Sequence, residues 1–271
     1  AERLYIAQPP LSQQIQNLEL ELGVPLLVRT RRSVHLTAAG RAFLEEARKV
    51  IAQAERAVEV AHQAHDGVLG QVAIGLVSSA LAEAGPSILT IFRKRFPHVE
   101  IKLSTLGTAE QVQALRNGEM HVGLLHPPIT DASLELEIIR REPLFVVLPA
   151  EHALTSQESI GLAQLSEEDF VMFPRNWSPG TFDQFTSLCR AAGFQMRLGQ
   201  EARGMDAVTS LVATGFGVAL VPASSQYLHR AGVMYRPLWE TTPTMDLAVA
   251  WCSEKCTPVT QHFLQIAREI A

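Results

Sequence analysis

"AQPPLSQQIQNLELELGVPLLVRT", residues 7–30, is the stretch that decides how the chain begins to fold. Proline is tolerated in the first turn of a helix, where its missing N–H has no intrahelical partner, so Pro9 and Pro10 predict a helix start. Gly23 and Pro25 predict where that helix ends. Between them, apolar residues recur at helical spacing and predict one buried stripe of Leu11, Ile15, Leu18 and Leu22.

The same helix carries an uncharged polar face, which consists of Ser12, Gln13, Gln14, Gln16 and Asn17. The amides of Gln and Asn present a donor and an acceptor together, so they can read a base edge in the major groove of DNA. Residues 1–5 read as the tail of an earlier helix, which completes the outline of a helix-turn-helix. The other interpretation of this stretch is a solvated amphipathic helix with surface glutamines.

A basic segment follows the polar-faced helix directly. Arg29, Arg31 and Arg32 lie close together, and short apolar-alternating pieces flank them at 26–28 and 34–36. This pattern predicts a small hairpin with a basic tip, a wing that can lie along a phosphate backbone. The net charge of the chain is −5, so a DNA-binding role requires such a local basic surface. A run of solvated charges is the alternative.

Residues 1–40 resemble the winged helix-turn-helix of LysR-type transcriptional regulators, particularly regulators of aromatic catabolism. The order of parts, the prolines, the "LE.ELG..L..R" continuation and the "LT.AG" exit all match. The family's first helix is expected before Ala1, so we expect N-terminal residues to be missing from this sequence. Gln13 stands where the family often has Arg, and Ala7 stands where Ser or Thr would cap the helix. Fewer phosphate contacts are expected as a result.

The resemblance implies that the polar-faced helix and the wing are the DNA-binding surface. In a helix-turn-helix the N-terminal end of the second helix meets the base edges. Contacts to phosphates position the protein on the duplex. The residues expected to contact DNA are Gln8, Pro9, Pro10, Ser12, Gln13, Gln14, Gln16, Arg29, Arg31 and Arg32.

A long helix is predicted next, over residues 39–66, with Thr37 as its cap. Its apolar seam alternates four- and three-residue steps through Phe43, Ala47, Val50, Ala54, Ala57, Ala61 and Ala64, and Leu44, Ile51 and Val58 broaden it. A sustained heptad pattern favours a two-stranded coiled coil, and the helix would span roughly 40 Å. The alternative is a single helix packed on its own domain. The resemblance implies that this linker makes the dimer, which suits a two-fold DNA site.

Beyond the break at 66–71, strand and helix patterns alternate to the end of the chain. Such alternation predicts a parallel sheet with helices on its faces, and residues 138–149 predict a more hydrophobic strand pair. Two α/β units, with the chain crossing between them and back, would leave a cleft at the hinge. This part resembles the two-lobed effector domain of LysR-type regulators, itself like solute-binding proteins. Residues 213–224 carry the most specific part of that resemblance.

The expected fold class is α/β with three segments. The domains are a truncated winged helix-turn-helix at 1–38, a dimerising linker helix at 39–66 and a periplasmic-binding-protein-like effector domain of two lobes at 67–271. Lobe I is expected at about 70–147 plus 250–271, and lobe II at about 148–249.

Hydroxyl residues stand where strands end and helices begin in the predicted body. Ser78 and Ser79 follow one strand, Thr108 follows another, and Thr181 opens a further helix. Each position offers free backbone N–H groups at the positive end of a helix dipole, although simple N-capping is the alternative for any one of them. Ligands lie beyond the carboxyl ends of parallel strands, so the set predicts a site for a small carboxylate or similar anion.

The family resemblance implies specific effector contacts. They are Ser78, Ser79, Thr108, His126, Phe182 and the loop at Pro174. His126 stands where relatives that respond to aromatic acids can carry Arg. A neutral imidazole would bind a second carboxylate weakly, which disfavours a dicarboxylate effector.

Other classes of protein find little support in the sequence. There is no GxSxG elbow, HExxH, P-loop or dinucleotide fingerprint, so neither an enzyme nor a bound cofactor is expected. Cys252, Cys256 and His262 have a C-x3-C-x5-H spacing but lack an obvious fourth ligand, so no metal site is expected. Cys189 is predicted to be a small buried apolar residue. A solute-binding protein of a transporter is the main alternative. Such a protein needs neither the winged helix-turn-helix at 1–38, here called the head, nor the coiled coil.

The three cysteines are too few for a disulfide framework and are interpreted as reduced cytosolic thiols. No stretch approaches the roughly 18 apolar residues of a spanning helix, and no export signal is visible. We therefore expect a cytoplasmic regulator that binds promoter DNA as a dimer or a dimer of dimers, a homotetramer. A small organic or aromatic acid would bind between the lobes. By resemblance, lobe closure would alter the DNA bend and the access of RNA polymerase.

Overall fold

The computed structural model describes residues 5–30, 33–82 and 84–271. The chain divides into two compact units, 1–62 and 63–271. Most of the helix predicted at the N-terminus lies outside the described residues, and so do Arg31 and Arg32 of the expected wing. None of the described helices is long and apolar enough to cross a membrane.

The first unit has the element order that its sequence predicts. Its elements are α1 (Gln8–Leu22), β1 (Leu27–Arg29), β2 (Val34–Leu36) and α2 (Ala38–His65), whose last residues belong to the second unit. Pro9 and Pro10 lie in the first turn of α1, and Ala7 caps that turn without a side-chain hydrogen bond. Gly23 ends α1 with a φ of 69°, a left-handed conformation that glycine adopts without strain. β1 and β2 pair antiparallel as a wing.

The apolar stripe of α1 is less buried than predicted. Leu11, Ile15 and Leu18 are half-buried, and Leu22 is 41% exposed. The described part of this unit offers little apolar surface to cover them, because its only fully buried apolar side chain is Leu26. The prediction of a buried Leu22 is therefore corrected.

The linker helix α2 begins with a side-chain cap, since Thr37 Oγ1 accepts the Gly40 N–H at 2.8 Å. Beyond its first turns the predicted seam is open to solvent: Val50 is 68% exposed and Val58 is 58% exposed. Large apolar side chains in a row on one exposed helix face are typical of a surface that packs against a partner.

The second unit is built from two lobes. Its elements are β3 (Leu69–Leu76), α3 (Ala84–Arg95), β4 (His98–Thr105), α4 (Thr108–Asn117), β5 (Val122–Leu125), β6 (Leu134–Glu142), β7 (Leu144–Pro149), β8 (Asp169–Met172), α5 (Pro179–Ala191), β9 (Arg197–Glu201), α6 (Met205–Ala213), β10 (Ala219–Pro222), β11 (Val233–Pro237), β12 (Met245–Cys252) and α7 (Pro258–Ile270). Lobe I holds a five-stranded sheet of order β4-β3-β5-β12-β6. Lobe II holds the sheet β10-β7-β11 and the pair β8-β9.

The lobe I sheet is mixed and the three-stranded lobe II sheet is antiparallel, which corrects the prediction of a parallel sheet. β3 runs parallel to β4 and β5, but β12 is antiparallel to both β5 and β6. In lobe II, β7 is antiparallel to β10 and β11, and only β8 and β9 are parallel. The reason in lobe I is that β12 returns from the other lobe and enters the sheet from the opposite end.

The predicted strand pair over 138–149 is also corrected. β6 and β7 are separate strands of different lobes, with Pro143 between them, so they do not pair with each other. The chain thus passes into lobe II at Pro143 and returns before Met245, several residues earlier than the expected limits of 147 and 250.

Candidate functional site

The polar face of α1 is open to solvent. Ser12 is half-buried, and the other predicted DNA-contacting residues of the helix are exposed, namely Gln8, Pro9, Pro10, Gln13, Gln14 and Gln16. Gln13 Nε2 donates to Asn17 Oδ1 one turn later, at 3.1 Å. The amides are therefore arranged along one helix face, which the described residues of unit 1 leave exposed.

The wing presents Arg29 as an exposed residue at the end of β1. The turn beyond it is closed by the Thr30 N–H, which donates to the Ser33 carbonyl at 2.8 Å. The Ser33 N–H donates back to Thr30 Oγ1 at 3.0 Å. These two hydrogen bonds tie the end of β1 to the start of β2, beside Arg29.

Glu19 connects the helix to the wing, a role that the sequence alone does not predict. Its Oε1 accepts the N–H groups of Leu26 and Leu27 at 2.7 and 2.8 Å. These two hydrogen bonds lower the pKa of the Glu19 carboxyl, which therefore stays ionised at neutral pH. Both bonds span the turn after α1, so the carboxylate sets where β1 begins relative to the helix. No periodicity in the sequence signals this role.

Four of the predicted effector residues surround one small cavity between the lobes. They are Ser78, Ser79, Thr108 and His126. The other two do not line it: Phe182 packs into the apolar core of lobe II, and the Pro174 carbonyl accepts the N–H of Trp177 at 2.9 Å. Thr181 is buried and bonded to Ser178 at 3.1 Å.

His126 is held as one neutral tautomer. Its Nδ1 bonds the Asp246 carbonyl at 2.8 Å, and a carbonyl only accepts, so Nδ1 carries the proton. Nε2 then accepts the Ser79 hydroxyl at 2.7 Å. Burial lowers the pKa of His126 to about 4, against the smaller opposing effect of the Asp246 carbonyl. The imidazole is therefore uncharged at neutral pH and offers an anion no positive charge.

The buried His126 predicts an acid-sensitive fold. The folded pKa of about 4 lies below the ordinary value of 6.5, so the unfolded chain binds the proton first as the pH falls. This contribution to stability is complete above the unfolded pKa and is lost as the pH falls from 6.5 towards 4. Between pH 7 and pH 5 the loss amounts to about 2 kcal/mol of unfolding free energy.

Urea unfolding at the two pH values, with the His126→Asn variant alongside, measures this effect. Asn keeps a donor for the Asp246 carbonyl but has no proton to gain, so its stability should change less between the two pH values. Equal changes in both proteins would mean that His126 is not the group that titrates.

The cavity is small and carries no cationic wall. Its volume is about 30 Å³, room for little more than water, whereas small-molecule sites occupy roughly 300–1,000 Å³. The described residues that line it include neither lysine nor arginine. Besides the four predicted residues, they are Val77, Gly107, Phe173, Trp177, Ser178, Gly204, Met205, Val208 and Met245. The sequence does not predict that Trp177 and Phe173 line the cavity, because aromatic residues in a loop carry no periodic signal.

A larger groove of about 990 Å³ opens elsewhere on the second unit and shares only Thr108 with the predicted effector set. Its walls carry the carboxylates of Asp131, Asp183 and Asp246, of which Asp183 pairs with Arg175 at 2.7 Å and Asp246 lies 3.8 Å from Arg141. The described residues that line the groove include no lysine or arginine, and both of these nearby arginines already face a carboxylate, so the groove is a poor site for an organic acid. The interlobe cavity therefore remains the candidate site.

The thiols show no arrangement for metal chemistry. No group of three or more His, Cys, Asp or Glu side chains suited to a metal ion occurs in the described part of the chain. Cys189 is fully buried, and burial raises the pKa of its thiol to about 11, so it stays protonated. A protonated buried thiol is a poor nucleophile and packs as a small apolar residue.

Two family models match the chain. One, described as "LysR substrate binding domain", matches residues 65–271. The other, described as "Bacterial regulatory helix-turn-helix protein, lysR family", matches residues 1–41.

Two relatives match along nearly the whole chain. "HTH-type transcriptional regulator AlsR" of Bacillus subtilis (strain 168) is 37% identical over 267 residues, covering 98% of this chain and 88% of that protein. "HTH-type transcriptional regulator IlvR" of Caulobacter vibrioides (strain ATCC 19089 / CIP 103742 / CB 15) is 37% identical over 272 residues, covering 99% and 91%.

Solved structures with the same fold include a regulator on its DNA. CbnR, a LysR family transcriptional regulator, matches with a TM-score of 0.85 and 28% identity, covering 99% of this chain and 93% of that one. Full-length CbnR complexed with its target DNA matches with a TM-score of 0.85 and 27% identity, covering 100% and 92%. The BenM effector-binding domain with its effector benzoate matches with a TM-score of 0.65 and 26% identity, covering 74% and 91%.

Proposed function

This chain belongs to the LysR family of transcriptional regulators, and from that premise we propose how it recognises DNA and its effector. It is a regulator with a helix-turn-helix segment and an effector-binding domain. The relatives named above are transcriptional regulators and not transporter components, so the alternative of a solute-binding protein is set aside. The proposed domain limits remain 1–38, 39–66 and 67–271.

Sequence-specific DNA binding is assigned to the polar face of α1 and to the wing. The observation that carries this assignment is the exposure of Gln13, Gln14 and Gln16 along one face of a helix that begins with two prolines. Arg29, together with Arg31 and Arg32 outside the described residues, would bind phosphates beside the groove. The CbnR complex with target DNA supports a DNA-binding role for a head of this kind.

The linker helix α2 is proposed to form a dimer, and two dimers to form a tetramer. The exposed Val50, Ile51 and Val58 support the first step, because they would otherwise leave an apolar row in water. Two heads on one dimer match two half-sites of DNA. The DNA-bound regulator would then act on RNA polymerase in the cytoplasm, where the promoter lies.

The effector is proposed to be a small organic acid with one carboxylate. BenM, whose effector-binding domain has been solved with benzoate, supports an acid ligand for a domain of this fold. The neutral His126 and the absence of a cationic side chain among the described cavity residues argue against a second carboxylate. No catalysis and no cofactor are part of this proposal, since binding alone changes how the heads sit on DNA.

Two substitutions separate base reading from phosphate binding. Gln14→Ala should relax preference at one base pair by about 1–3 kcal/mol while leaving non-specific binding intact. Arg29→Ala should weaken binding to all duplexes and reduce the slope of log affinity against log salt by about 1. Equilibrium titrations of specific and random duplexes at several salt concentrations measure both, and Gln53→Ala, in the linker helix, is the control. Identical behaviour of the two variants would contradict the assignment.

A further inference from the structure

Each lobe supplies a hydrogen-bond acceptor to the N-terminus of a helix in the other lobe, across the cleft. The N–H of Met205, the first residue of α6 in lobe II, donates to Ser78 Oγ of lobe I at 2.8 Å. In the opposite direction, the N–H of Ala109, in the first turn of α4, donates to the Trp177 carbonyl of lobe II at 3.1 Å. The first N–H groups of a helix have no intrahelical partner, so each lobe supplies an acceptor that the helix of the other lobe lacks.

The Trp177 side chain adds a third contact between the lobes. Its indole Nε1 donates to Glu110 Oε2 at 3.0 Å, and the same oxygen accepts the Gly107 N–H at 2.9 Å. The ring lies directly on Gly107: a Cβ there would come within 2.3 Å of Trp177 Cδ1. The indole ring of Trp177 thus packs against the N-terminus of α4, in space that a side chain at position 107 would fill.

The two lobes are otherwise packed separately. The buried apolar residues fall into one cluster around Phe92 and Phe263 in lobe I and two clusters around Phe185 and Val147 in lobe II. Among the described residues, Met245 at the start of β12 is the member of the lobe I sheet that packs in a lobe II cluster. The lobes can therefore separate with little loss of shared core. The polar contacts across the cleft, which also include Ser178 Oγ donating to Thr108 Oγ1 at 3.3 Å, then decide whether it is open.

We propose that the Trp177–Glu110 contact, with the Met205–Ser78 and Ala109–Trp177 hydrogen bonds, forms a latch that holds the cleft between the lobes shut. The cavity that remains, about 30 Å³, is too small for an organic acid. The effector must therefore open the latch before it enters, and its apparent affinity is reduced by the fraction of molecules that are open. This inference rests on the proposed effector site and concerns how that site is kept closed.

Amide hydrogen exchange of the whole protein, without effector or DNA, tests the latch. The readouts are the N–H groups of Met205 and Ala109, because each is protected by an acceptor on the opposite lobe. Trp177→Phe removes the indole N–H and leaves a ring in place. Exchange at both amides should accelerate roughly tenfold, the factor for one lost hydrogen bond to a charged group.

Gly107→Ala is a second, independent way to open the latch. Gly107 has a φ of −70°, which alanine adopts without strain, so the added methyl acts only by displacing the indole. Trp239→Phe is the matched control: its indole also lies on a glycine, with a Cβ at Gly161 coming within 2.6 Å of Trp239 Cζ2, but both residues are in lobe II. Trp239→Phe should leave exchange at Met205 and Ala109 unchanged.

The Met205 N–H bonds Ser78 and neither Trp177 nor Glu110, so its response decides the question. Faster exchange at Met205 in both Trp177→Phe and Gly107→Ala supports a latch that controls the whole cleft. Wild-type exchange at Met205 in both variants, with or without a change at Ala109, overturns it. No DNA or effector is present in this experiment, so its result does not depend on the proposed regulator function. A failure of DNA recognition would refute that function and leave the latch intact.

Discussion

Val50→Glu in the linker helix is expected to convert the proposed dimer to a monomer. Val50 lies on the predicted heptad seam and is 68% exposed in the single chain. Burying a valine stabilises association by roughly 1.5–3 kcal/mol, and a two-fold dimer loses this twice, so the loss is about 3–6 kcal/mol. The dimer dissociation constant should therefore rise by roughly 100-fold or more. A buried pair of like charges adds to the penalty.

Sedimentation equilibrium over a range of concentrations measures the association of the variant. Ala52→Glu is the matched control, because Ala52 lies two residues further on, off the seam, and receives the same charge. Binding to DNA with two half-sites should weaken together with dimerisation, since a monomer loses the effective concentration of its second head. A Val50→Glu protein that sediments as the wild type does would show that α2 is not the dimer seam.

Gly40→Ala is expected to destabilise the head by about 3 kcal/mol, the upper range for forcing extra atoms into a packed site. Gly40 is buried where α2 starts, and a Cβ there would lie 2.0 Å from the Leu26 carbonyl oxygen. That oxygen cannot move freely, because it accepts the Thr37 N–H at 2.9 Å. The methyl must therefore separate the linker helix from the start of the wing.

Unfolding of the head, followed by circular dichroism with DNA binding as a second readout, measures the loss. The two units need not unfold together, so the head transition is compared between proteins rather than one midpoint for the whole chain. Ala39→Leu adds more atoms at the exposed neighbouring position and should leave the transition nearly unchanged. A Gly40→Ala head as stable as the wild type would contradict the close approach to Leu26.

The head was the most predictable part of the molecule. Two prolines, a terminal glycine and a cap at Thr37 act within one or two turns, so local chemistry alone defines α1 and the start of α2. The exposure of Leu22 was missed, because burial depends on what covers a stripe and not on its periodicity. Glu19 was missed for a similar reason: its partners, Leu26 and Leu27, lie beyond a turn.

In the body, the sequence predicted most elements but not how they combine. Strand and helix periods are local, whereas the antiparallel direction of β12 follows from a return across the lobes. The hydroxyls of Ser78, Ser79 and Thr108 do converge with His126, since strand ends share one edge of a sheet. Trp177 reaches the same place from a loop of the other lobe, and no pattern in one strand or helix can indicate that.

Selection of sequences from a randomised duplex DNA library tests the central claim, that the polar face of α1 and the wing read DNA. The protein should enrich an inverted repeat of two half-sites, because paired heads impose two-fold symmetry. Gln14→Ala, carried through in parallel, should lose preference at one position of each half-site and keep the rest. A selection that enriches no sequence above the starting library at low salt, or that returns the same site for both proteins, would contradict the account.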